Sequence, residues 1–353
     1  MTPQERLDDL AKPPGSLGVL EEWAIALATA QKTNVPTADP ATVIVFTADH
    51  GVKKADNALS PFPPSVSQAV FRALAAGISG TATIARSVGA HLAVVDVGIA
   101  GDVSKVCNAA GHKISVRHAK VAEGTADFRS SAAMDEDQFK RALQVGIDCV
   151  ADEVATRDVK VLAIGEVGIG NTTAAAAVLT SLLGADAAEC CGRGTGLDDA
   201  GLEHKVDVVR AACAFHSDPI KACGDEAARA REVLRRLGGL EMVAMCGAYM
   251  EAARRGVVAV VDGFISAVSA LAAARIEPAC RATMVFATAL AEEPTAAKGG
   301  ELLESALAAK PALSMGLRLG EGSGAALALP VLRSAAAIIG QMGTLRAAME
   351  LGD

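Results

Sequence analysis

One carboxylate in the sequence, Glu321, has a setting that suits chemistry better than it suits a surface charge. It lies between two glycines in the stretch PALSMGLRLGEGSGAALALP (311–330), which is apolar apart from Arg318 and small hydroxyl side chains. Glycines let the backbone turn tightly and approach a ligand closely, and a poorly solvated carboxylate has a raised pKa that suits a general base. A lone acidic residue is more often a solvated loop glutamate, so Glu321 needs support from elsewhere in the chain.

A second glycine-rich segment, far upstream, supplies that support. In VKVLAIGEVGIGNTTAAAAVLTSLLG, residues 159–164 are β-branched and aliphatic, which favours a buried strand, and residues 172–183 are rich in alanine and leucine, which favours a helix. Asn171 or Thr172 could cap that helix. The segment therefore predicts a strand, a glycine-rich turn and a helix in succession.

Such a turn is typical of an anion site, because free backbone N–H groups and the helix dipole attract phosphate. The order of the glycines fits neither GxGxxG nor GxxxxGK[ST], which argues against a dinucleotide site or a P-loop. A glycine turn can also serve close packing alone, but Glu166 inside it indicates ligand hydroxyl groups beside the phosphate. A phosphorylated sugar satisfies both requirements.

Composition excludes several other classes of protein. The 353 residues are 51% hydrophobic and 21% charged, enough for one large core and a smaller lobe. The net charge of −8, without a basic stripe interleaved with aromatics, argues against nucleic-acid binding. The eight cysteines and six histidines show no metal-ligand spacing, so neither a structural metal nor a cofactor is expected.

The chain also lacks the signals of a membrane or secreted protein. The apolar run 257–274 is interrupted by Asp262 and Gly263, and the first residues, MTPQERLDDLAK, contain no apolar signal core. We therefore expect no membrane span and a cytoplasmic location.

The elements that position these residues follow an α/β pattern. Short apolar runs alternate with helical stretches such as 66–76, 136–156 and 225–236, which predicts a parallel sheet covered on both faces. Ligands of such sheets bind beyond the carboxyl ends of the strands, where polar or glycine-bearing turns occur at 48–51, 96–101, 165–171 and 262–264. These turns should converge on one crevice. The predicted strands are Thr42–Ala48, Leu92–Val97, Val159–Ile164, Val257–Val261 and Thr283–Ala287.

The two termini are predicted to be helical and separate from the sheet. Residues 17–31 follow a Pro-Pro-Gly, and residues 331–349 carry an apolar stripe at helical spacing. Neither helix could bury its stripe alone, so we expect them to pair in a small lobe or pack against a partner subunit. The predicted division is a large α/β domain at 40–330 and a helical lobe from 1–32 and 331–353. The stripe consists of Leu332, Ala335, Ile339, Met342, Leu345 and Met349.

Several motifs occur in one order along almost the whole chain. They are KPPGSLGVLEE (12–22), VFTADHGV (45–52), GTADFRSSAAM (124–134), GEVGIGNTT (165–173), GRGTGLDD (192–199) followed by HK (204–205), VVDGFISA (260–267) and LRLGEGSGAALALP (317–330). Together they resemble the nicotinate-nucleotide:dimethylbenzimidazole phosphoribosyltransferase family. GEVGIGNTT and LGEGSG are the most specific of them.

The resemblance implies an activity, a fold and an assembly. The activity is transfer of phosphoribose from nicotinate mononucleotide to dimethylbenzimidazole or a related base, with inversion at the anomeric carbon, in cobalamin nucleotide-loop assembly. The fold is a Rossmann-like parallel sheet of about six strands with a small helical lobe from both termini. Members are homodimers whose active site lies near the subunit interface.

The resemblance also assigns roles to residues. Glu321 matches the family's general base, and Glu166 and Lys205 match positions associated with the nucleotide, although most lysines are simply exposed. Ser60 and Gln68 match positions that contact the base, with Gln68 one turn into a helix that Pro63 and Pro64 would start. The expected phosphate and ribose cradle is Gly168, Gly170, Asn171, Gly194 and Thr195, and Leu319 is expected to contact the base.

Other features of the sequence leave alternatives open. Asp49–His50 could suggest a metal site or general base, but structural hydrogen bonds at a strand end are the commoner role. Phe62 replaces a Tyr usual in the family, residues 77–84 read GISGTATI where the family usually has Gly-Gly-Ala-Ala-Ile-Asn, and Asp127 replaces a usual Asn. The first two departures lie near the base pocket, so the preferred base stays open.

Two rival functions are weighed against the transferase. A Rossmann-type oxidoreductase would need a GxGxxG turn and an acidic residue about twenty positions later, which the chain lacks. A non-catalytic sensor of the base or its nucleotide would use the same pocket without the chemistry. The intact Glu321 and the intact nucleotide turn argue against the sensor, and turnover would separate the two.

Overall fold

A computed structural model describes residues 1–292 and 297–351. Six parallel strands form one sheet in the order β3-β2-β1-β4-β5-β6. The predicted α/β class and the sheet of about six strands are therefore confirmed. The strands are β1 (Ala41–Ala48), β2 (His91–Gly98), β3 (Ile114–His118), β4 (Val161–Val167), β5 (Val258–Val261) and β6 (Met284–Phe286).

Five of the strands were expected from buried apolar runs, and β3 was not. This edge strand pairs only with β2 and reads ISVRH, with only Ile114 fully buried. A strand that is solvated along one side does not need the continuous apolar run that marks a central parallel strand. The signal used to find the other strands is therefore missing.

Helices cover both faces of the sheet. They are α1 (Pro3–Asp8), α2 (Val19–Gln31), α3 (Gly51–Ala55), α4 (Ser65–Ala75), α5 (Gly80–Ser87), α6 (Glu136–Arg157), α7 (Asn171–Leu183), α8 (Ala187–Cys190), α9 (Asp199–Phe215), α10 (Ser217–Lys221), α11 (Glu226–Leu237), α12 (Leu240–Arg254), α13 (Phe264–Ile276), α14 (Ala297–Leu307), α15 (Ser323–Gln341) and α16 (Leu345–Glu350).

Alternate residues of each central strand enter one of two cores. In β1, Ile44 and Phe46 pack with α6, α7 and α11–α13, whereas Val43 and Val45 pack with α2 and α15 on the opposite face. Small residues allow close helix packing, since a Cβ on Gly146 of α6 would lie 1.8 Å from the carbonyl oxygen of Ala244 in α12. The sheet is thus held rigidly, and its strand ends form a fixed platform.

The C-terminal helix differs from the prediction in both bounds and burial. The helix begins at Ser323 and ends at Gln341, and a separate short helix follows, so the expected single helix at 331–349 is wrong. Leu332, Ala335 and Ile339 are fully buried within the chain. Leu345 and Met349 lie on α16 and are exposed. The chain therefore breaks before the end of the predicted stripe, which is not one continuous surface.

The termini do contact each other. Arg6 donates hydrogen bonds to the carbonyl oxygens of Ile339 and Met342, and the N–H of Leu345 donates to the carbonyl oxygen of Asp9. Helix α2 shares a core with the sheet as well as with α15, and α15 itself crosses residue 330 without interruption. The division into 40–330 and a terminal lobe stays a prediction.

Within the described residues, α15 is also the one helix whose length and composition would suffice to cross a membrane. Buried core helices pass the same test. The burial of Leu332, Ala335 and Ile339 against the sheet and α2 is that of a core helix.

Candidate active site

A crevice of about 430 Å³ opens at the carboxyl ends of β4 and β5. Its walls come from the turn after β4, the turn after β5, the 317–324 segment, one face of α4 with the residues before it, and the loop that leads into α9. It lies next to β1 and β4, where the strand order reverses, which is the usual ligand position in an open α/β sheet. Of the four strand-end turns expected to converge, 165–171 and 262–264 line the crevice.

The turn after β4 has the geometry of an anion site, although its helix is capped differently from the prediction. The N-cap of α7 is Gly170, which has a φ of +99° and offers no side chain. Capping by Asn171 or Thr172 is therefore wrong, and the Asn171 amide instead donates to the Glu166 carboxylate. Because no side chain caps α7, its N-terminal dipole remains available to a bound anion.

Gly168 and Gly170 are required by packing behind the turn. A Cβ on Gly168 would lie 2.2 Å from the carbonyl oxygen of Ala48, and one on Gly170 would lie 2.7 Å from the Lys53 Cβ. Gly168 lines the crevice, whereas Gly170 is not among the lining residues. Gly170 therefore shapes the turn from behind and does not itself face a ligand.

Lys205 brings a buried positive charge to the same end of the crevice. Its side chain is fully buried, contrary to the usual exposure of lysine. Its Nζ donates to the Thr172 Oγ1 at 3.0 Å and to the Gly192 carbonyl oxygen at 2.9 Å. Gly194 and Thr195 line the adjacent wall. A buried cation beside a helix N-terminus is an electrostatic setting for an anion such as phosphate.

Glu321 lines the same crevice and has an unusual backbone conformation. It has a φ of +61°, and the glycines on either side have φ values of +74° and +75°. Its N–H donates to the Glu166 carbonyl oxygen at 3.2 Å. The turn packs directly on β4, because a Cβ on Gly165 would lie 2.0 Å from the Gly322 nitrogen. Glycine neighbours therefore permit both the turn and its contact with the strand.

Three buried carboxyl groups face the crevice, and burial raises the pKa of each. Burial raises the pKa of Glu321, while the hydroxyl and N–H of Thr81 act in the opposite direction. Burial and the neighbouring carboxylates, Glu241 first among them, hold the pKa of Glu166 well above its usual range. Burial raises the pKa of Asp262 to about 6, against hydrogen bonds from backbone N–H groups. Buried carboxyl groups with raised pKa values are candidates for general acid–base catalysis.

Asp262 was not among the predicted site residues. It directly follows β5, lines the crevice and is buried. Its turn was expected to reach the crevice, because it is a polar strand end. Nothing in the local sequence distinguishes a side chain that faces the ligand space from one that only ends a strand, so the residue itself was missed.

The three residues expected to contact the base differ in position. Leu319 lines the crevice and is 53% exposed, so part of its side chain is available to a ligand. Ser60 lies within 3.2 Å of the Thr195 hydroxyl, next to the lining residues. Gln68 donates to the Ala100 carbonyl oxygen and accepts from Arg72, and it is not a lining residue.

Helix α4 supplies an apolar wall of the crevice. Val66 and Val70 line the crevice together with Phe62, whereas Leu74 is fully buried. Helix α4 begins at Ser65, directly after Pro63 and Pro64, as predicted. A flat aromatic ligand could pack against this apolar face.

Asp49 and His50 make structural hydrogen bonds behind the crevice. Asp49 accepts from the Ser67 hydroxyl at 2.5 Å and from the Ala100 N–H at 2.8 Å. His50 Nε2 lies 2.8 Å from a carboxylate oxygen of Glu241 in a fully buried pair. Among the described residues, no group of three or more His, Cys, Asp or Glu side chains is arranged to hold a metal ion.

Comparison with known proteins gives a consistent result. A family model described as "Phosphoribosyltransferase" matches residues 2–349. The nicotinate-nucleotide–dimethylbenzimidazole phosphoribosyltransferase of Pseudomonas putida is 43% identical over 343 residues, which span 96% of this chain and 90% of that protein. The protein of the same name from Pseudomonas aeruginosa is 43% identical over 342 residues, with 96% and 91% covered.

Solved structures show the same similarity. CobT from Thermus thermophilus superimposes with a TM-score of 0.87 and 33% identity, covering 99% of this chain and 97% of that one. The structure of the nicotinate-nucleotide–dimethylbenzimidazole phosphoribosyltransferase of the same organism gives a TM-score of 0.83, with 98% of this chain and 96% of that one covered.

Proposed function

Since the chain belongs to the nicotinate-nucleotide–dimethylbenzimidazole phosphoribosyltransferase family, we infer that it transfers the phosphoribosyl group of nicotinate mononucleotide to dimethylbenzimidazole. The products are α-ribazole phosphate and nicotinate, and the reaction belongs to cobalamin nucleotide-loop assembly. One observation carries this inference to the chain's own residues. The glycine turn with buried Lys205 and the buried carboxylate of Glu321 line the same crevice.

The phosphate of the nucleotide is proposed to bind at the N-terminus of α7. The open helix dipole and the buried Lys205 charge both favour an anion there, and Gly194 lines the crevice close to Thr172, whose Oγ1 would lie 2.8 Å from a Cβ at that position. Thr195 offers a hydroxyl on the same wall. Glu166, held by the Asn171 amide, is proposed to accept hydrogen bonds from the ribose hydroxyl groups.

The base is proposed to lie against the apolar wall of α4, between Phe62, Val66 and Leu319. These three residues line the crevice that Glu321 also lines. A planar aromatic ring buries its faces well in such a slot. Ser60 and Gln68 are proposed to act at its edge, and Gln68 would have to exchange its bond to Ala100 to do so.

The chemistry proposed for this arrangement is a single displacement with inversion at the anomeric carbon. Nicotinate leaves from a cationic pyridinium nitrogen, so its departure needs no strong general acid. The attacking benzimidazole uses one ring nitrogen, and the proton on its other nitrogen becomes acidic as the new bond forms. Glu321 is proposed to accept that proton, an effect worth about 10²–10⁴-fold. Holding the base and the sugar carbon in line supplies the remainder.

A turnover assay tests this function. Purified protein is incubated with nicotinate mononucleotide and dimethylbenzimidazole, the products are identified by mass spectrometry, and NMR assigns the anomeric configuration. We expect α-ribazole phosphate and nicotinate in equal amounts. Binding of both ligands without turnover would favour the sensor, and a β product would contradict inversion. Adding mixed benzimidazole, purine and phenolic bases would then identify the preferred acceptor.

We further propose that the protein is a cytoplasmic homodimer. Large apolar side chains at the crevice mouth are exposed in the single chain, and exposed apolar patches commonly mark subunit contacts. They are Phe62, Ile78, Met315, Leu317 and Leu319.

A further inference from the structure

Asp262 is fixed in place at the end of β5 by its own backbone. Its N–H donates to the Ser266 hydroxyl at 3.4 Å, and its carbonyl oxygen accepts from the Thr288 hydroxyl at 2.6 Å. The side chain is buried at the crevice. Its carboxylate therefore occupies a defined position relative to the sheet.

That carboxylate accepts hydrogen bonds from two backbone N–H groups of another element. The Gly322 N–H lies 3.2 Å from Oδ2, and the Ala325 N–H lies 2.8 Å from Oδ1. Gly322 is the N-cap of α15 and offers no side-chain cap of its own. Ala325 is the third residue of that helix, and its N–H is one that a capping side chain normally satisfies. Asp262 thus caps α15 from a different strand.

The two hydrogen bonds from the Gly322 and Ala325 N–H groups to Asp262 form a clamp. This clamp acts on Glu321, the residue directly before Gly322. A non-glycine residue in the left-handed region persists only when its surroundings enforce it. Glu321 is held on one side by the bond from its N–H to Glu166 and on the other by the bond from Gly322 to Asp262. The ends of β4 and β5 therefore fix both peptide groups that flank the Glu321 side chain.

We propose that Asp262 is a positioning residue for Glu321, which it acts on through the Gly322 and Ala325 N–H groups without itself receiving the substrate proton. This inference rests on the proposed function, in which Glu321 is the general base. A base that must meet a ring N–H needs its carboxylate within hydrogen-bond reach. Displacement by about 1 Å can cost about 10²-fold in rate.

The test compares Asp262→Asn with Asp225→Ala. Asparagine keeps the size of the side chain and one acceptor oxygen, but it turns an amide N–H₂ group toward one of the two backbone donors. Asp225→Ala removes the side chain that accepts the Ala228 N–H at the start of α11, so it is a matched loss of a helix cap outside the crevice. For Asp262→Asn we expect kcat per folded molecule to fall about 10–10²-fold, with the KM for nicotinate mononucleotide changed less than about threefold. Asp225→Ala should keep the kcat of the wild type.

The pH profile separates positioning from a purely structural role. The charged and titratable groups that line the crevice with Glu321 are Glu166 on β4, Asp262 after β5, Lys205 on α9 and Arg318, and Glu241 of α12 acts on Glu166. A loosened turn exposes Glu321 to water, and loss of the Asp262 charge acts in the same direction. Both should move the acidic limb of kcat/KM to lower pH in Asp262→Asn. An unchanged kcat and an unchanged limb in a folded Asp262→Asn variant would overturn the proposal.

Two further measurements keep the proposal testable. Titration of isotopically labelled Glu321 by NMR, without substrates, should show a lower pKa in Asp262→Asn than in the wild type, and equal pKa values would overturn the proposal. This measurement holds even if the wild type fails to turn over its proposed substrates, a failure that would count against the function alone. If Asp262→Asn does not fold, Ala325→Pro removes one clamp N–H in the first helical turn, where proline is tolerated. It should lower kcat in the same way, and an unchanged kcat would overturn the proposal.

Discussion

Glu321 is buried, and no donor among the described residues lies within 3.5 Å of its Oε2, although the more distant Thr81 hydroxyl and N–H act on its carboxyl group. A buried carboxylate oxygen without a donor is costly to the folded protein, and a base N–H would supply the missing partner. We predict that Glu321→Gln, which keeps the shape and backbone demands of the residue, lowers kcat by about 10²–10⁴-fold with little change in nucleotide KM. Steady-state kinetics checks this, and Glu301→Gln, at an exposed position on α14, is the control.

Glu321→Gln should also change the pH dependence of kcat/KM. Burial raises the pKa of Glu321, so activity that needs the ionised form should fall as pH drops through a value above that of an ordinary glutamate. This acidic limb of kcat/KM should disappear in Glu321→Gln. Full turnover by the Gln variant, or an unaltered limb, would remove Glu321 from the mechanism.

Lys205, which also lines the crevice, provides a separate test. Lys205→Met keeps the buried stem but removes the charge that donates to Thr172 and Gly192. We predict a KM for nicotinate mononucleotide raised at least about tenfold, since an ion-paired hydrogen bond contributes roughly 1.5–3 kcal/mol, while the KM for the base changes little. Lys221→Met on α10 is the control, and thermal unfolding measures any loss of folding. Equal effects on both KM values would assign Lys205 a structural role.

Among the secondary-structure elements, the turn after β4 contains a glycine, Gly170, that is required by packing and not by close approach of a ligand. The sequence suggested that Gly170 lets phosphate approach, but its missing Cβ faces Lys53. We therefore predict that Gly170→Val destabilises the fold by about 1–3 kcal/mol or more, from the left-handed φ and the contact together, and does not selectively raise nucleotide KM. Gly184→Val has a similar positive φ with open space around it and is the matched control. Denaturant unfolding should show the larger loss for Gly170→Val; equal losses would mean that the Lys53 contact is unimportant.

How far the sequence predicts these elements depends on what marks them. Central strands such as β1 and β4 are buried on both faces, so their apolar runs can be recognised from the sequence alone. The edge strand β3 and the start of α15 are not, because a solvated edge needs no such run and Pro330 suggests a break where the helix continues. Proline leaves α15 intact here, as happens when surrounding packing outweighs a lost hydrogen bond.

The residues of the candidate site likewise differ in how far the sequence predicts them. Glu321, Glu166 and Lys205 could be named because motif and chemistry coincide at each. Asp262 could not, because its importance lies in two bonds to α15 across about sixty residues of sequence. Such contacts between distant segments are set by the tertiary fold and leave no local pattern.

At the scale of the whole molecule, the structure changes the reason for expecting a dimer. The sequence suggested that the stripe on the C-terminal helix needs a partner, but Ile339 is fully buried within its own chain. Ile339→Glu would therefore unfold the protein by burying a charge, and it cannot test assembly. Other exposed apolar side chains, Phe62, Leu317 and Leu319, line the crevice, and Ile78, which is 77% exposed, lies outside that lining.

Ile78 gives the sharper test of assembly. It lies two residues before Gly80, whose Cβ would be 2.8 Å from the side chain of the lining residue Leu319, and it does not itself line the crevice. In a symmetric dimer built on this face, Ile78→Asp would place a charge in the interface of both subunits. We predict a dimer for the wild type in sedimentation velocity, weaker association for Ile78→Asp, and activity that falls together with the dimer fraction because the crevice mouth loses a wall. Val35→Asp, at a residue 71% exposed before β1, is the control and should leave association unchanged. A monomer with full activity at assay concentration would contradict the proposed dimer.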